Sequence, residues 1–242
     1  MKPKKRLIAR LDVKNNHVIK GIHLEGLRKI GDPNALALKY YEAGIHEIIF
    51  MDAVAAYYDR NSLSDIISKA TNDIFVPIVV GGGIRTIDDI SLALQSGADK
   101  VAINTQAIRT PKFLKEASYV YGSQCIVSSI DVKRDGNSWR AYFDNGREPS
   151  NYLIDEWIKI VEDQGAGEIL LTSIDKEGTK KGFDLDLARL ASDLTSLPII
   201  FCGGFGNMEH IKELEDIHYD AIALASTLHY ELLDIEDIKQ LL

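Results

Sequence analysis

The sequence has little of what metal sites, disulfides and membrane spans require. Its six histidines lack the i, i+3 or i, i+4 spacing of a metal-ligand pair, and its two cysteines, Cys125 and Cys202, both lie inside apolar runs. We therefore expect no protein-built metal site, and two buried thiols of the kind found in a reducing compartment. No run approaches ~18 apolar residues, and no signal-peptide pattern follows the first residues. These absences predict a cytoplasmic protein without a membrane span.

Positive charge is also scarce. The net charge of −8 argues against nucleic acid as the main partner, because nucleic-acid-binding proteins usually present a basic face. The basic cluster comprises Lys2, Lys4, Lys5 and Arg6, and we interpret its first three members as a solvated tail. The sequence contains no GxGxxG fingerprint after a strand, so we infer no dinucleotide and expect no cofactor.

Eight apolar, β-branched runs alternate with amphipathic stretches along the chain. Near-continuous apolar runs are typical of strands that are buried on both faces of a parallel sheet. The runs span 6–13, 46–52, 76–80, 99–104, 124–131, 168–173, 197–202 and 220–225. Helix-start signals lie between them, as at Asp32-Pro33 and at Thr86 with Asp89. Eight βα units in this length predict an α/β fold, a (β/α)8 TIM barrel that forms a single domain over 1–242. A doubly wound open sheet is the alternative.

The second half of the chain repeats the first. Asp12 and Asp131 each end an apolar run and lie 119 residues apart, and the Gly82-Gly83 and Gly203-Gly204 pairs are separated by 121 residues. Thr105 and Ser226 follow the next strands, again 121 residues apart. A long internal period indicates architecture, here a half-barrel repeat with matched strand ends. Long loops over 14–32 and 132–150 follow the first and fifth strands, and we predict that they cover the mouth.

The two aspartates are the candidate catalytic pair. In a barrel the carboxyl ends of the strands form the active-site face, so the repeat places Asp12 and Asp131 on opposite sides of one mouth. Two separated carboxyls can hold different protonation states and act as base and acid. The alternative is that one of them caps a turn or pairs with a lysine.

The duplicated glycine turns predict a ligand with two phosphates. Glycine lets backbone N–H groups approach a phosphate, and a helix N-terminus adds a favourable dipole. Each turn has a hydroxyl residue after the next strand, at Asn104-Thr105 and at Ala225-Ser226. A single Gly-Gly pair would fit an ordinary tight turn, whereas two at matched positions favour phosphate binding.

Other charged residues have two open interpretations. Lys20 in the first loop, and Glu177 with Lys180 in the sixth, could contact an anionic or hydroxylated substrate or could be solvated loop residues. A second set falls near strand N-termini, at the opposite end of the barrel: Arg6, Glu47, Lys100 and Glu168. Charges of alternating sign there form either a stabilising salt-bridge network or a polar gate to a central passage.

Several of these segments together resemble those of a known family. ARLDVKNNHVIKG, VGGGIRT, SGADKVAINT, GAGEILLTSIDKEGTKKGFD and CGGFGNMEH closely resemble the cyclase subunits of imidazole glycerol phosphate synthase over essentially the whole chain. The resemblance implies a barrel that receives ammonia from a separate glutaminase subunit in a heterodimer. Such a barrel converts a two-phosphate formimino ribonucleotide into imidazole glycerol phosphate and an aminoimidazole carboxamide ribonucleotide in histidine biosynthesis.

The resemblance also implies roles for individual residues. Asp12 and Asp131 match the acid/base pair, and Lys20 belongs to the family's mobile loop. One phosphate is expected at Gly82, Gly83, Asn104 and Thr105, the other at Gly203, Gly204, Ala225 and Ser226, and Glu177 is expected to contact the substrate. The ammonia gate matches Arg6, Glu47, Lys100 and Glu168.

Four departures from the family pattern leave the substrate open. Arg10 stands where a cysteine is usual, Glu177 where an aspartate is usual, Ser150-Asn151 replaces Thr-Gly, and Cys202 replaces a serine. With KGIHLEGLRKIGDP and YYDRNSL, they resemble a paralogous branch linked to ammonia delivery for surface-sugar amidation. A non-catalytic scaffold that docks a glutaminase is the third alternative.

Overall fold

The structure, a computed structural model, describes residues 5–54 and 63–242. Lys2 and Lys4 of the basic cluster and residues 57–62 of the segment YYDRNSL lie outside the described residues. Among the described residues the strands are β1 Arg6–Lys14, β2 His17–Ile22, β3 Glu25–Gly31, β4 Glu47–Asp52, β5 Ile78–Gly81, β6 Lys100–Ile103, β7 Ile126–Asp135, β8 Ser138–Phe143, β9 Glu148–Leu153, β10 Glu168–Ser173, β11 Ile199–Cys202 and β12 Ala221–Leu224.

Helices follow most of the parallel strands. In the described part of the chain they are α1 Pro33–Glu42, α2 Ser64–Ala70, α3 Ile87–Gln95, α4 Thr105–Arg109, α5 Lys112–Tyr121, α6 Ile154–Asp163, α7 Leu185–Leu194, α8 Glu209–Lys212, α9 Ser226–His229 and α10 Ile235–Lys239. The predicted start signals are confirmed. Asp32 Oδ1 accepts from the Ala35 backbone N–H at 2.9 Å, and Thr86 and Asp89 form a capping box. No helix of the described residues has the length and apolar content needed to cross a membrane.

Eight parallel strands close into a barrel, which confirms the predicted fold and excludes the open sheet. The order around the ring is β1-β4-β5-β6-β7-β10-β11-β12, and each strand pairs in parallel with the next. The ring is completed because β12 also pairs with β1, with Arg6 opposite Ala221 and Ala9 opposite Leu224. Each of the eight apolar runs of the sequence supplies one of these strands.

Alternation along the strands separates two cores. Along each strand, alternate side chains point into the barrel, where they form a small apolar cluster. The side chains between them point outward and pack against the helices. The interior cluster comprises Ile8, Ile49, Val79, Ala102, Val127, Leu170, Ile200, Cys202, Ala221 and Ala223. The polar residues two positions away on the same strands therefore also point inward, above and below this apolar layer.

The two long segments predicted to cover the mouth, 14–32 and 132–150, contain strands that the sequence analysis did not identify. Each folds as an antiparallel hairpin that continues a barrel strand beyond the mouth: β2 and β3 extend β1, and β8 and β9 extend β7. Alternating sequences such as HVIKGI and SWRAYF provide the buried face that such hairpins need. The half-barrel repeat thus includes a matching pair of hairpins at the same rim.

The two cysteines differ in burial. Cys202 ends β11 and is buried, as predicted. Cys125 is only partly buried because it lies in a 3₁₀ turn, Ser123–Cys125, just before β7 rather than in the strand. Both thiols are free.

Candidate active site

Asp12 and Asp131 lie on opposite sides of the barrel, on strands four places apart in the ring of eight. Each is followed along its strand by the residues that start a hairpin, so both carboxyls lie where the barrel meets its rim. They are 8 % and 6 % exposed. Burial alone would make both carboxyls harder to ionise, and the neighbours of each therefore decide its charge.

Two cations face Asp12. Arg10 Nε donates to Asp12 Oδ1 at 2.9 Å, and Lys20 Nζ lies 3.8 Å from Asp12 Oδ2. Burial tends to raise the pKa of Asp12, but the charges of Arg10 and Lys20 outweigh it and hold that pKa below its usual value. Asp12 is therefore an anion, available as a base or as an electrostatic partner for positive charge.

Asp131 has the opposite balance. Its Oδ2 accepts from Asn104 Nδ2 at 2.8 Å, and its Oδ1 is buried without a hydrogen-bond partner among the described residues. Burial raises the pKa of Asp131 and exceeds the opposing influence of Arg10, Thr172 and Asn104. One carboxyl is thus biased towards the ionised form and the other towards the protonated form, which is the requirement for a base and an acid at one pH.

Lys20 lies on β2 and is buried rather than solvated. Its ammonium forms an ion pair with Glu177, from the loop after β10, and faces Asp12 as well. Burial lowers the pKa of Lys20, and the neighbouring Arg10 adds to that effect. The same loop is bonded to the first hairpin through the His23 N–H and the Glu177 carbonyl at 2.9 Å. The structure therefore brings Lys20 and Glu177 together at the centre of the mouth.

The first glycine turn opens onto a cavity with the residues that the repeat predicted. Gly82 and Gly83 both have positive φ, 88° and 76°, and the turn lies between β5 and α3. The cavity is lined by Arg10, Asp52, Gly82, Gly83, Arg85, Asn104, Thr105, Arg109, Asp131 and Asp144, among others. It joins the first turn to Asp131, a member of the candidate catalytic pair, in one continuous space.

The second glycine turn forms a smaller cavity in the other half of the barrel. Gly203 and Gly204 have φ of 100° and 99°, and a Cβ on Gly204 would lie 2.0 Å from the Gly182 carbonyl oxygen. The lining includes Glu177, Gly203, Gly204, Ala225 and Ser226. The two cavities thus contain the two predicted phosphate sets, one in each half. Lys180, by contrast, is near the Tyr230 ring and is not among the residues lining either cavity.

The four charged residues at the opposite end form a closed ring. Arg6 contacts Glu47 at 2.5 Å and also pairs with Glu168, and Lys100 contacts Glu47 at 3.3 Å and Glu168 at 2.8 Å. The cations are partly exposed and the carboxylates are nearly buried. Every member has two partners of opposite charge. The ring therefore closes the barrel at the N-terminal ends of its strands, which we call the barrel floor.

The departures from the family pattern fall into two groups. Arg10 and Cys202 contact each other inside the barrel, with Arg10 Nη1 3.6 Å from the Cys202 sulfur, and Glu177 pairs with Lys20. Ser150 lies instead in β9, where its hydroxyl accepts from the Tyr152 N–H at 3.0 Å, and Asn151 is exposed. Three of the departures therefore alter the site itself.

The structure also shows contacts that the sequence analysis missed. Thr172 accepts from Arg10 Nη1 at 3.0 Å, and Arg109 pairs with Asp144 at 2.9 Å beside the first cavity. The phase of β10 could have identified Thr172, because it lies two residues beyond inward-facing Leu170. His229 bonds the Tyr40 hydroxyl at 2.7 Å, and burial with Lys20 nearby lowers the pKa of His229 to about 4. Within residues 5–54 and 63–242, no three His, Cys, Asp or Glu side chains form a group that could hold a metal ion.

The sequence is similar to those of known proteins of one family. Residues 6–234 match the family described as "Histidine biosynthesis protein". The chain is 51 % identical over 208 residues to imidazole glycerol phosphate synthase subunit HisF of Legionella pneumophila, covering 86 % of this chain and 98 % of that protein. It is 43 % identical to the HisF subunit of Streptococcus mutans serotype c and 41 % identical to that of Methanococcus maripaludis, covering 98 % of this chain and 95 % of each relative.

Proposed function

We propose, since the chain belongs to the histidine biosynthesis protein family and to its HisF branch, that it is the cyclase subunit of imidazole glycerol phosphate synthase. Its substrate is then a ribonucleotide with two phosphates and a formimino link, and its second substrate is ammonia. The products are imidazole glycerol phosphate and an aminoimidazole carboxamide ribonucleotide. The named relatives favour this reaction over the sugar-amidation alternative.

One observation carries the proposal: two glycine-turn cavities, one in each half-barrel, with two differently charged carboxyls between the halves. A phosphate at Gly82-Gly83 and Thr105 would be held by backbone N–H groups at the start of α4. A second phosphate at Gly203-Gly204 and Ser226 would meet the start of α9. A ligand anchored at both ends would present its central atoms to the carboxyls.

The two carboxyls divide the proton transfers of the reaction. Ionised Asp12 accepts a proton or balances positive charge as ammonia adds, and protonated Asp131 supplies a proton to the group that leaves. The Lys20–Glu177 pair lies beside Asp12. A bound substrate could contact the ammonium of Lys20 or the carboxylate of Glu177 in place of their contact with each other. Burial of all four groups strengthens each of these electrostatic interactions.

The nitrogen source follows from the opposite end of the barrel. The chain uses neither cysteine as a nucleophile, because Cys202 is buried in β11 and Cys125 lies at the floor end of β7. A separate glutaminase subunit would bind at the face bearing the ring Arg6, Glu47, Lys100 and Glu168 and deliver ammonia through the barrel. The ring then acts as the gate, opening when its ion pairs rearrange.

The proposal is tested by turnover of the purified chain with the two-phosphate intermediate and an ammonium salt. The expected result is equal formation of the two products, and Asp131→Asn provides the matched inactive control. Absence of both products from a folded protein that binds the intermediate would contradict the proposal. The same protein with its glutaminase and glutamine should then reproduce the reaction without added ammonium.

A further inference from the structure

Arg10 crosses the interior of the barrel above its apolar layer. It lies on β1, in the inward phase that includes Ile8 and Asp12, and is 2 % exposed. Its Nη1 reaches Thr172 on β10 at 3.0 Å and Cys202 on β11 at 3.6 Å. One side chain therefore links β1 with β10 and β11 across the intervening β12, whose residues in the interior cluster are Ala221 and Ala223.

The contacts of Arg10 fix the neighbouring carboxylate. Its Nε bonds Asp12 at 2.9 Å, so one oxygen of Asp12 is held by a guanidinium that does not lose its proton in proteins. The other oxygen faces Lys20 at 3.8 Å, and the charge of that lysine is shared with Glu177. Arg10 is thus the closer and more permanent of the two cations at Asp12.

Asp131 is held in a contrasting way. Its Oδ2 accepts a hydrogen bond from the neutral amide of Asn104 at 2.8 Å, and within the described residues it forms no ion pair. Its second oxygen is buried without a hydrogen-bond partner there. An acid oxygen in that position is free to carry a proton and to meet a ligand in the adjoining cavity, which Arg10 and Asp131 both line.

We propose that Arg10 is a positioning residue that separates the roles of the two carboxyls, holding Asp12 as a permanent anion so that Asp131 is the one that exchanges a proton with the substrate. The reaction itself rests on the function proposed above. In each turnover one proton leaves the O–H bond of Asp131 for the substrate, and Asp131 later regains one from substrate or solvent. Asp12 keeps its charge throughout and stabilises positive charge near it.

The surroundings of Asp12 define what the test must separate. The charged and titratable groups near it are Arg10 on β1, Lys20 on β2, Glu177 after β10, Asp131 on β7, Cys202 on β11 and His229 on α9. Arg10→Gln removes one charge from this set and retains hydrogen-bonding capacity. Arg10→Lys retains the charge, and Arg10→Cys introduces the residue that is usual in the family.

The direct measurement is titration of the full-length chain labelled with carboxyl-¹³C aspartate. The signals of Asp12 and Asp131 are assigned with Asp12→Asn and Asp131→Asn. We expect Asp12 to stay ionised through the acid range in which the native chain remains folded, with Asp131 titrating at a higher pH. Arg10→Gln and Arg10→Cys should raise the midpoint of Asp12 by about one pH unit or more, and Arg10→Lys should leave it low.

Two outcomes would overturn the proposal. An Asp12 midpoint unchanged in Arg10→Gln or Arg10→Cys would assign its charge to Lys20, and a native Asp12 midpoint above that of Asp131 would reverse the roles. If the neutral variants do not fold, the order of the two midpoints in the native chain still decides whether Asp12 is the permanent anion. These measurements need no turnover, so they remain informative if the proposed reaction fails.

Kinetics supplies a second readout. At constant free ammonia, the native profile should show one carboxyl ionisation, that of Asp131, with activity falling as pH rises through it. Arg10→Gln should add a second ionisation on the acid side, where Asp12 takes up a proton. An unchanged profile in Arg10→Gln, with Asp12 shifted in the titration, would remove Asp12's charge from the mechanism and contradict its assigned role.

Discussion

Lys20 and Glu177, 157 residues apart in the chain, form a buried ion pair at the centre of the barrel mouth. Lys20 comes from the hairpin of the first half and Glu177 from a loop of the second. Together with Asp12 from the first half and Asp131 from the second, they show that each half supplies part of the site. Neither half contains the whole candidate site, so we expect the effects of substitutions at these four residues to be coupled across the repeat.

Neutralising either carboxyl should remove most ammonium-dependent turnover. Asp12→Asn removes the anion beside the substrate and Asp131→Asn removes the proton donor, whereas each keeps the size of the side chain; losses of about 10²–10⁴-fold in kcat are typical for acid/base residues, and we expect a loss of this order for each variant. Steady-state rates with saturating ammonium measure the loss, and circular dichroism verifies the fold. Near-native rates in both variants would exclude the pair from the mechanism.

Anions should occupy both glycine turns. A crystal grown in phosphate should show density at Gly82-Gly83 near Thr105 and at Gly203-Gly204 near Ser226, held mainly by backbone N–H groups. Thr105→Ala and Ser226→Ala should raise KM for the two-phosphate ligand more than they lower kcat. Water-filled turns at high phosphate, together with unchanged KM, would contradict a two-phosphate ligand.

The charged ring should matter more for glutamine than for ammonium. Glu168→Gln leaves Arg6 and Lys100 each with one fewer carboxylate partner, which disturbs the proposed gate at the end of the barrel opposite the candidate active site. We expect a larger loss of glutamine-dependent than of ammonium-dependent turnover in the complex. Lys39→Met, which breaks the exposed Lys39–Glu231 pair, is the control and should change neither rate. Equal losses in Glu168→Gln would instead support a purely stabilising network.

His229 should make the fold less stable in acid. Its pKa is lowered to about 4 by burial and by Lys20, whereas an exposed histidine has a value of about 6.5. The unfolded chain therefore binds a proton first, and stability falls as pH drops from about 6.5 to about 4, by up to about 1.4 kcal/mol per unit. Urea unfolding across this range should show a shallower pH slope for His229→Gln than for the native chain or for the exposed control His218→Gln.

Gly204 should tolerate no side chain. Gly204→Ala combines a positive φ of 99° with a Cβ only 2.0 Å from the Gly182 carbonyl oxygen, and we expect a loss of about 3 kcal/mol or more in unfolding free energy. Gly136 also has a positive φ, 59°, but a Cβ there would have no atom within 4 Å. For Gly136→Ala we therefore expect a loss of about 1 kcal/mol in unfolding free energy. Denaturant titration compares the two, and equal losses would assign the effect to φ alone.

The sequence predicted the elements with strong local signals. The apolar runs predicted every barrel strand, and capping residues such as Asp32 and Thr86 predicted helix starts, because both patterns are local. The repeat also predicted which residues share a cavity. The hairpins were missed, since their alternation is short and their buried face depends on the barrel beneath.

The charges within the site could not be predicted from spacing. Lys20 was left as either a substrate contact or a solvated residue, and its burial against Glu177 depends on a contact between distant segments. The contacts of Arg10 with Thr172 and Cys202 likewise join strands that meet only after closure. The charge of each group depends on which distant segments the closed barrel brings together, and the local sequence does not indicate these contacts.

The barrel is closed by the pairing of β1 with β12, and a ligand that contacts both strands would stabilise this closure. The last strand pairs with the first, and Ala225 and Ser226 of one proposed phosphate set follow β12 whereas Asp12 lies on β1. A chain with an open seam would have neither a complete ring of charges nor a complete mouth, so we expect the proposed ligand to bind the closed form. By mass action, a ligand at a hundred times its Kd would add about 2.7 kcal/mol against opening. A saturating ligand should therefore also slow any proteolysis that requires the seam to open.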